Sequence, residues 1–183
     1  MNLEQLESIA MKMVSGNKGL LAADESTGTI TKRLASIGLE STEETRRDYR
    51  EMLFRTEGLG QYISGTILYD ETIRQKTKSG IPLIKFLIEQ EILPGIKVDT
   101  GAKPLAGSDG EKVTEGLDSL YDRAEEYVEL GAKFAKWRAV ISIGSSLPSN
   151  YCINVNAHAL ARYARICQEA GLVPIVEPEI LMD

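Results

Sequence analysis

The chain has little of what metal and redox sites are built from, since its 183 residues include one histidine and two cysteines. A catalytic zinc ion takes about three histidine or acidic ligands, so the isolated His158, on a predicted helix, is interpreted as a surface or groove residue. Cys152 and Cys167 form no Cys-x-x-Cys motif. We interpret both as reduced structural thiols without chemistry.

Long apolar runs and clustered basic residues are also absent. No apolar run approaches the roughly 18 residues that a membrane-spanning helix needs, and the acidic, amphipathic segment 1–7 is unlike a signal peptide. The 27 acidic and 21 basic side chains are interspersed and give a net charge of −6. With no basic stripe to follow a phosphate backbone, we expect a cytoplasmic protein that binds neither nucleic acid nor membrane.

The remaining composition, 43% hydrophobic and 26% charged, is typical of a globular protein, and we expect residues 1–183 to form a single domain. Short apolar runs alternate with helical patterns, which predicts βαβ units and a parallel sheet. Neither a dinucleotide fingerprint nor a Walker-type loop is present. The predicted strands are 19–24, 65–69, 95–99, 131–140 and 172–177. The predicted helices include 2–15, 30–37, 81–93, 115–130 and 154–170, with a further helix to about residue 55 that starts at a capping box over 41–44.

The segment 131–140 carries cations inside an apolar run. With a period of two, Phe134, Lys136 and Arg138 share one face, and Trp137 lies on the other face between two alanines. A strand that is apolar on both faces is normally a buried parallel strand covered by helices. A lysine and an arginine on such a strand therefore need partners or a ligand.

Charge recurs where four of the five predicted strands end. Charged side chains at the carboxyl ends of several strands are typical of a (β/α)8 barrel, whereas an open sheet concentrates them at one switch point. The pattern therefore favours a TIM barrel. The residues concerned are Asp24, Lys97 with Asp99, Lys136 with Arg138, and Glu177 with Glu179.

Such a face can bind a sugar phosphate, because lysine and arginine neutralise phosphate, and its carboxylates can transfer protons. A lysine near other cations has a depressed pKa, which favours imine formation with a carbonyl substrate. Three alternatives stay open at this point. The charges can form a buried ion-pair network, Asp24 can be a helix-capping acid, and the strand-end carboxylates can hold Mg²⁺, although the neighbouring lysines oppose a cation.

Four blocks of sequence carry a family resemblance. They are Leu-Leu-Ala-Ala-Asp-Glu-Ser-Thr-Gly (20–28), Gly-Ile-Lys-Val-Asp (95–99), Phe-Ala-Lys-Trp-Arg (134–138) and Val-Pro-Ile-Val-Glu-Pro-Glu-Ile (173–180). In order and spacing they closely resemble class I fructose-1,6-bisphosphate aldolase, and the resemblance runs essentially from end to end. It implies a TIM barrel lyase of glycolysis and gluconeogenesis. This enzyme reversibly cleaves fructose 1,6-bisphosphate to dihydroxyacetone phosphate and glyceraldehyde 3-phosphate through a lysine Schiff base, without metal or other cofactor.

The resemblance also implies roles for individual residues. Asp24 is expected to handle protons near the substrate C4 hydroxyl and to hold the imine lysine, and Glu177 to act as acid and base on the carbinolamine. Lys136 is expected to supply positive charge beside the imine, and Glu179 to support the site from behind. The residues expected to bind hydroxyls and phosphates are Ser26, Thr29, Lys32, Arg33, Lys97 and Arg138.

One part of the family pattern is not found. The imine lysine of the family lies on strand six in a Glu-Gly-x-Leu-Leu-Lys-Pro-like motif, and no such motif occurs in residues 1–183. Because a (β/α)8 barrel takes about 250 residues, we expect an incomplete barrel of about five strands that is inactive alone. Inward side chains such as Ile67 and Ile175 are expected to lack cover. We expect a homo-oligomer for the complete protein, and a catalytically silent interaction or scaffold fragment is the alternative.

Overall fold

Parallel strands form the main sheet of the computed structural model, which describes residues 2–182. In chain order its strands are β1 (Gly19–Ala23), β2 (Ile63–Leu68), β3 (Leu93–Lys97), β4 (Gly101–Pro104), β5 (Lys112–Glu115), β6 (Phe134–Ile141) and β7 (Val173–Ile180). The main sheet has the order β1-β2-β3-β6-β7, with every pair parallel, and β4 and β5 form an antiparallel hairpin. This five-stranded half barrel confirms the predicted incomplete TIM barrel.

Helices connect these strands. In chain order they are α1 (Leu3–Val14), α2 (Thr27–Ser36), α3 (Glu43–Phe54), α4 (Asp70–Arg74), α5 (Leu83–Glu89), α6 (Leu120–Glu129) and α7 (Asn150–Ala170), with a 3₁₀ turn at Leu59–Gln61. Within residues 2–182, no helix is both long enough and apolar enough to cross a membrane.

Three helix predictions need correction. The helix predicted for 115–130 begins only at Leu120, because Glu115 is the last residue of β5. The capping box of α3 is made by Thr42 and Thr45, whose side chains each accept a hydrogen bond from the other's backbone N–H, and not by residues 41 and 44. The helix predicted for 81–93 spans only Leu83–Glu89, because Glu91 adopts a left-handed conformation (φ 59°) that ends it. Leu93 then pairs with Gly65 as the first residue of β3.

The hairpin of β4 and β5 was not predicted, since its strands have only four residues each and flank a glycine-containing polar loop. Buried polar contacts attach it to α7. The Glu111 carboxylate accepts hydrogen bonds from the backbone N–H (2.7 Å) and hydroxyl (2.6 Å) of Ser149. The Asn156 side chain donates to the Lys112 carbonyl oxygen (2.9 Å), and the Thr114 hydroxyl donates to the carbonyl oxygen of Arg138 (2.7 Å). The hairpin is thereby fixed beside the carboxyl end of β6.

The outward face of β6 belongs to the main hydrophobic core, as the two-residue alternation predicted. Trp137 and its two alanine neighbours on that face are fully buried beneath α6 and α7. The Trp137 ring lies 5.4 Å from the ring of Tyr163 on α7, whose hydroxyl donates to the Ile175 carbonyl oxygen (3.1 Å). One helix residue thus packs against β6 and bonds to β7.

The inward face has a small apolar cluster at its amino-terminal end. Phe134 is fully buried there with Ile67, and Ile9 and Met13 of α1 complete the cluster. The Ser64 hydroxyl donates to the Met13 carbonyl oxygen (2.6 Å). Because α1 covers this end of the half barrel, Ile67 is only 7% exposed, and the expectation that it would lack cover is wrong. Ile175 is half-buried beside the same cluster.

The Phe134 ring depends on glycines in the neighbouring strands. A Cβ placed on Gly95 would lie 2.2 Å from the ring, and one on Gly65 would lie 2.9 Å from it. We predict that Gly95→Ala lowers the free energy of unfolding by roughly 1–3 kcal/mol through overpacking, measured by denaturant titration. Gly19→Ala, also in a strand but with no atom within 4 Å of the added Cβ, is the control. Equal stability of the two variants would contradict this account of the packing.

Candidate active site

A lysine with two carboxylates lies on the concave face of the half barrel. The Lys136 ammonium is 3.0 Å from the Asp24 carboxylate and 3.3 Å from the Glu177 carboxylate. Asp24 directly follows β1, whereas Lys136 and Glu177 lie on β6 and β7 at the other side of the sheet. The three side chains meet because the sheet curves, so the structure brings together groups 112 residues apart in sequence.

The surroundings of Lys136 keep its side chain protonated. Burial alone would lower the pKa of Lys136, but the Asp24 and Glu177 carboxylates outweigh it and raise that pKa above the ordinary lysine value. The direction is opposite to the depressed pKa that the sequence suggested for a lysine near other cations. Lys136 is therefore a fixed positive charge in this arrangement, and not a ready nucleophile.

A second ion pair lies next to it. Lys97 occupies the position on β3 that pairs with Lys136 on β6, and its ammonium is 3.3 Å from the Asp99 carboxylate. The other Asp99 oxygen accepts a hydrogen bond from the Arg138 backbone N–H (3.4 Å). Two lysines thus lie side by side on the concave face, each with its own carboxylate partner.

Arg138 and Glu179 continue the two strands toward the mouth. They are opposite in charge, lie on neighbouring strands, and form an ion pair that is partly open to solvent. The strand-end charges predicted from the sequence therefore do converge on one face, although each is paired within the protein.

The residues expected at the mouth lie along α2, with Ser26 and Thr29 at its start and Arg33 in its last turn. Ser26 is the N-cap of this helix, and its hydroxyl is 3.1 Å from the hydroxyl of Thr29. The Arg33 guanidinium is paired with the Glu25 carboxylate. Lys32 lies exposed on α2, outside the central group of charges. Ser26 thus follows Asp24 closely in the chain, and the ion pair with Glu25 brings the Arg33 guanidinium to the same turn.

Sequence reasoning missed a buried network behind β1. Arg50 of α3 is fully buried, and its guanidinium donates to the Glu25 carbonyl oxygen (2.7 Å). Arg46 binds the Glu71 carboxylate through two hydrogen bonds (2.9 and 2.5 Å), and its side chain is mostly buried. Burial lowers the pKa of Arg50, while Glu25 and Glu71 act in the opposite direction. The available signal was the spacing of Arg46, Arg50 and Phe54, which puts them on one face of α3.

An open cavity of about 960 Å³ lies beside the charged face. Lys97 and Asp99 line it together with residues of the hairpin, α6 and α7, including His158 on its rim. His158 is exposed, as predicted for a surface or groove residue. Asp24, Lys136 and Glu177 face the open interior of the half barrel instead. We place the candidate site on these three residues, because the convergent charges needed for chemistry are there.

The two cysteines lie outside this face. Cys152 and Cys167 are both free and buried on α7, which confirms their interpretation as structural thiols. Burial raises the pKa of the Cys167 thiol to about 12, so its reactive thiolate form is disfavoured.

Comparisons with known proteins agree on one family. A family model described as fructose-bisphosphate aldolase class-I matches residues 5–183. A probable fructose-bisphosphate aldolase class 1 of Xanthomonas campestris is 62% identical over 183 residues, which are 100% of this chain and 55% of that relative. A cytosolic fructose-bisphosphate aldolase of Arabidopsis thaliana is 60% identical over 166 residues, 91% of this chain and 42% of the relative.

A solved structure shows the same fold. Fructose-bisphosphate aldolase from Plasmodium falciparum, crystallised in a ternary complex with TRAP and a small-molecule inhibitor, matches with a TM-score of 0.97 and 52% sequence identity. The match covers 98% of this chain and 52% of that one. The chain spans about half the length of the curated relatives it matches.

The ion pairs of Lys136 predict a dependence of stability on pH. Because the pKa of Lys136 is raised in the folded protein, the folded state holds the proton more tightly than the unfolded state. The resulting stabilisation is fully present below the ordinary lysine pKa of 10.5 and is lost as the pH rises through the raised value. We therefore expect Lys136→Met to lower stability equally between about pH 7 and pH 9, and by less at higher pH.

Thermal unfolding of the wild type and of Lys136→Met, from pH 7 to above the ordinary lysine pKa of 10.5, measures the effect. Lys103→Met, which removes an exposed ammonium from β4, is the control. A stability difference between wild type and Lys136→Met that grows with pH would show that the carboxylates do not hold the proton on Lys136.

Proposed function

The chain belongs to the class I fructose-bisphosphate aldolase family, and from this we propose that its half barrel supplies the phosphate-binding and acid–base groups for reversible cleavage of fructose 1,6-bisphosphate to dihydroxyacetone phosphate and glyceraldehyde 3-phosphate. The observation that carries the proposal is the contact of Lys136 with both Asp24 and Glu177. An ammonium between two carboxylates provides a fixed positive charge with a proton acceptor on each side.

The proton transfers are assigned to the two carboxylates. Asp24 takes the proton from the C4 hydroxyl as the C3–C4 bond breaks, and it also holds the imine lysine. Glu177, more exposed than Asp24, gives and takes protons at the carbinolamine oxygen. Lys136 stays protonated and stabilises negative charge that develops beside the imine. Glu179 is paired with Arg138 and supports the site from behind.

Substrate binding is assigned to the cations and hydroxyls around this centre. Lys97 and Arg138 lie on the concave face on either side of Asp99, where they can contact substrate hydroxyls and one phosphate. The second set of groups belongs to α2, with Ser26 and Thr29 at its start and Lys32 and Arg33 in its second half. The helix N-terminus and hydroxyls suit an anion.

The covalent step is assigned to a lysine outside residues 1–183. Imine formation requires an uncharged amine, and both concave-face lysines are paired with carboxylates. The family motif that carries the imine lysine does not occur between residues 1 and 183. We also propose a cytoplasmic location, which the cytosolic Arabidopsis thaliana relative supports, and a homo-oligomer for the complete protein.

The 183-residue chain alone is therefore expected to show no enzymatic turnover of fructose 1,6-bisphosphate in a coupled assay, because acid–base groups without the imine leave the carbon–carbon bond intact. Borohydride reduction with dihydroxyacetone phosphate should trap no stoichiometric adduct detectable by mass spectrometry. An adduct on Lys97 or Lys136 would show that this residue forms the imine, contrary to the binding or charge-stabilising role assigned to it here. Turnover at an ordinary enzymatic rate would refute the division of roles.

A chimera tests the catalytic roles directly. Residues 1–183 joined to the unmatched part of the Xanthomonas campestris relative supply a complete chain. In this chimera, Lys136→Met and Glu177→Gln should each lower kcat by roughly a hundredfold or more, through loss of a transition-state charge or a proton-transfer group. Lys97→Met should mainly raise KM, and Lys103→Met is the control.

The outcomes separate the candidate functions. A chimera whose kcat survives Lys136→Met would refute the role of that residue. A folded chimera with no activity would favour the alternative of a catalytically silent scaffold.

A further inference from the structure

Glu25 is a buried carboxylate with only one of its two oxygens hydrogen-bonded. It directly follows Asp24, and its side chain is 7% exposed. One oxygen is paired with the Arg33 guanidinium, whereas the other is buried without a hydrogen-bond partner. A buried carboxylate oxygen left unpaired is costly, so a native protein that keeps one has a reason in its function or in a second arrangement.

Arg50 has the complementary deficiency. Its Nη2 donates to the Glu25 carbonyl oxygen at 2.7 Å, but its Nε and Nη1 are buried without a hydrogen-bond partner. The unpaired Glu25 oxygen lies 3.6 Å from Arg50 Nη2, just beyond hydrogen-bond length. The Glu25 oxygen and the Arg50 guanidinium therefore already form a loose ion pair, and a small shift of the side chain would bring them to hydrogen-bond distance.

Contacts with other groups fix the position of the Arg50 guanidinium. Its guanidinium is 3.8 Å from the Glu71 carboxylate, which Arg46 holds with two hydrogen bonds. It also lies 5.9 Å from the centre of the Tyr69 ring. With these contacts and the Glu25 carbonyl oxygen fixing Arg50, the movable group is the Glu25 side chain.

An anion at the mouth would compete for Arg33. The Arg33 side chain is 59% exposed and reaches solvent from α2, while Glu25 occupies its guanidinium from behind. An anionic group that binds Arg33 meets the negative charge of Glu25 across the same guanidinium. The Arg33 guanidinium can direct all of its hydrogen bonds and its charge to the anion only when the Glu25 carboxylate binds another cation.

We propose that Glu25 passes from Arg33 to Arg50 when a phosphate group binds Arg33, so that Arg50 is a positioning residue of this site. The inference rests on the proposed function, which assigns the phosphate to Arg33. Throughout the exchange the Arg50 bond to the Glu25 carbonyl oxygen remains in place. The turn that carries Asp24 therefore stays against Lys136 while the phosphate-binding arginine changes partner.

We call this change of partner of the Glu25 carboxylate, from Arg33 to Arg50, the handover. A double-mutant cycle on phosphate affinity tests it. Inorganic phosphate is titrated calorimetrically into the 183-residue chain and its variants, and only binding that Arg33→Gln abolishes is counted. Glu25→Gln should tighten this binding about three- to tenfold, because the competing carboxylate is removed. Arg50→Lys should weaken it several-fold, since one ammonium cannot serve the carbonyl oxygen, Glu71 and Glu25 together.

The decisive measurement is Arg50→Lys in the Glu25→Gln background. A handover predicts no effect of Arg50→Lys there, whereas a merely structural role predicts the same loss in both backgrounds. Arg47→Lys is the matched control on α3, because Arg47 pairs with Glu44 and Asp48 away from the site. Circular dichroism and thermal unfolding check that each variant folds.

The possible failures are distinguishable. Phosphate binding that Arg33→Gln leaves intact would overturn the phosphate role of Arg33, and with it the handover. Arg33-dependent binding with an additive cycle would overturn the handover alone. If Arg50→Lys does not fold, the effect of Glu25→Gln on phosphate affinity is the test instead. Weaker phosphate binding by Glu25→Gln than by the wild type would overturn the proposal.

Discussion

A protonated lysine on the concave face connects the chemistry of this protein to its curvature. Burial of the Lys136 ammonium is unfavourable unless carboxylates compensate it. Those carboxylates, Asp24 and Glu177, come from the first and last strands of the sheet. A flat sheet would hold Asp24 out of reach of Lys136, so the ion pairs stabilise the curved form and the curved form is what makes them possible.

Local sequence patterns were enough to predict the five strands of the main sheet and the character of their faces. The alternation around Trp137 identified one core-facing and one charged face, because side-chain direction in a strand depends only on the two-residue period. Lys136 was placed on the charged face for the same reason, and Asp24 and Glu177 were found as charges that end predicted strands. Their pairing was not predictable, since it depends on strand order and curvature, which no local pattern encodes.

Each error in the prediction has an identifiable physical cause. The helix over 81–93 was too long because a left-handed Glu91 interrupts an otherwise favourable apolar periodicity. The hairpin of β4 and β5 was missed because its strands are short and its attachments, through Glu111 and Asn156, are made to a distant helix. Arg50 was missed because a buried arginine on a helix resembles a surface one until its partners, Glu25 after β1 and Glu71 on α4, are known. The hairpin and Arg50 were missed because they depend on long-range polar contacts, whereas the helix error comes from one local backbone conformation.

Helix α1 contacts β1 and β2 at one side of the half barrel and β7 at the other. Geometrically it is a chord across an arc, and the small cluster of Ile9, Met13, Ile67 and Phe134 fills the space between chord and arc. A chord of fixed length sets the curvature of an arc whose own length, here the width of five strands, is also fixed. Helix α1 therefore limits how far the half barrel can flatten or close, and the two outer strands are held at a set separation. In this sense the length of helix α1 limits the width of the half barrel.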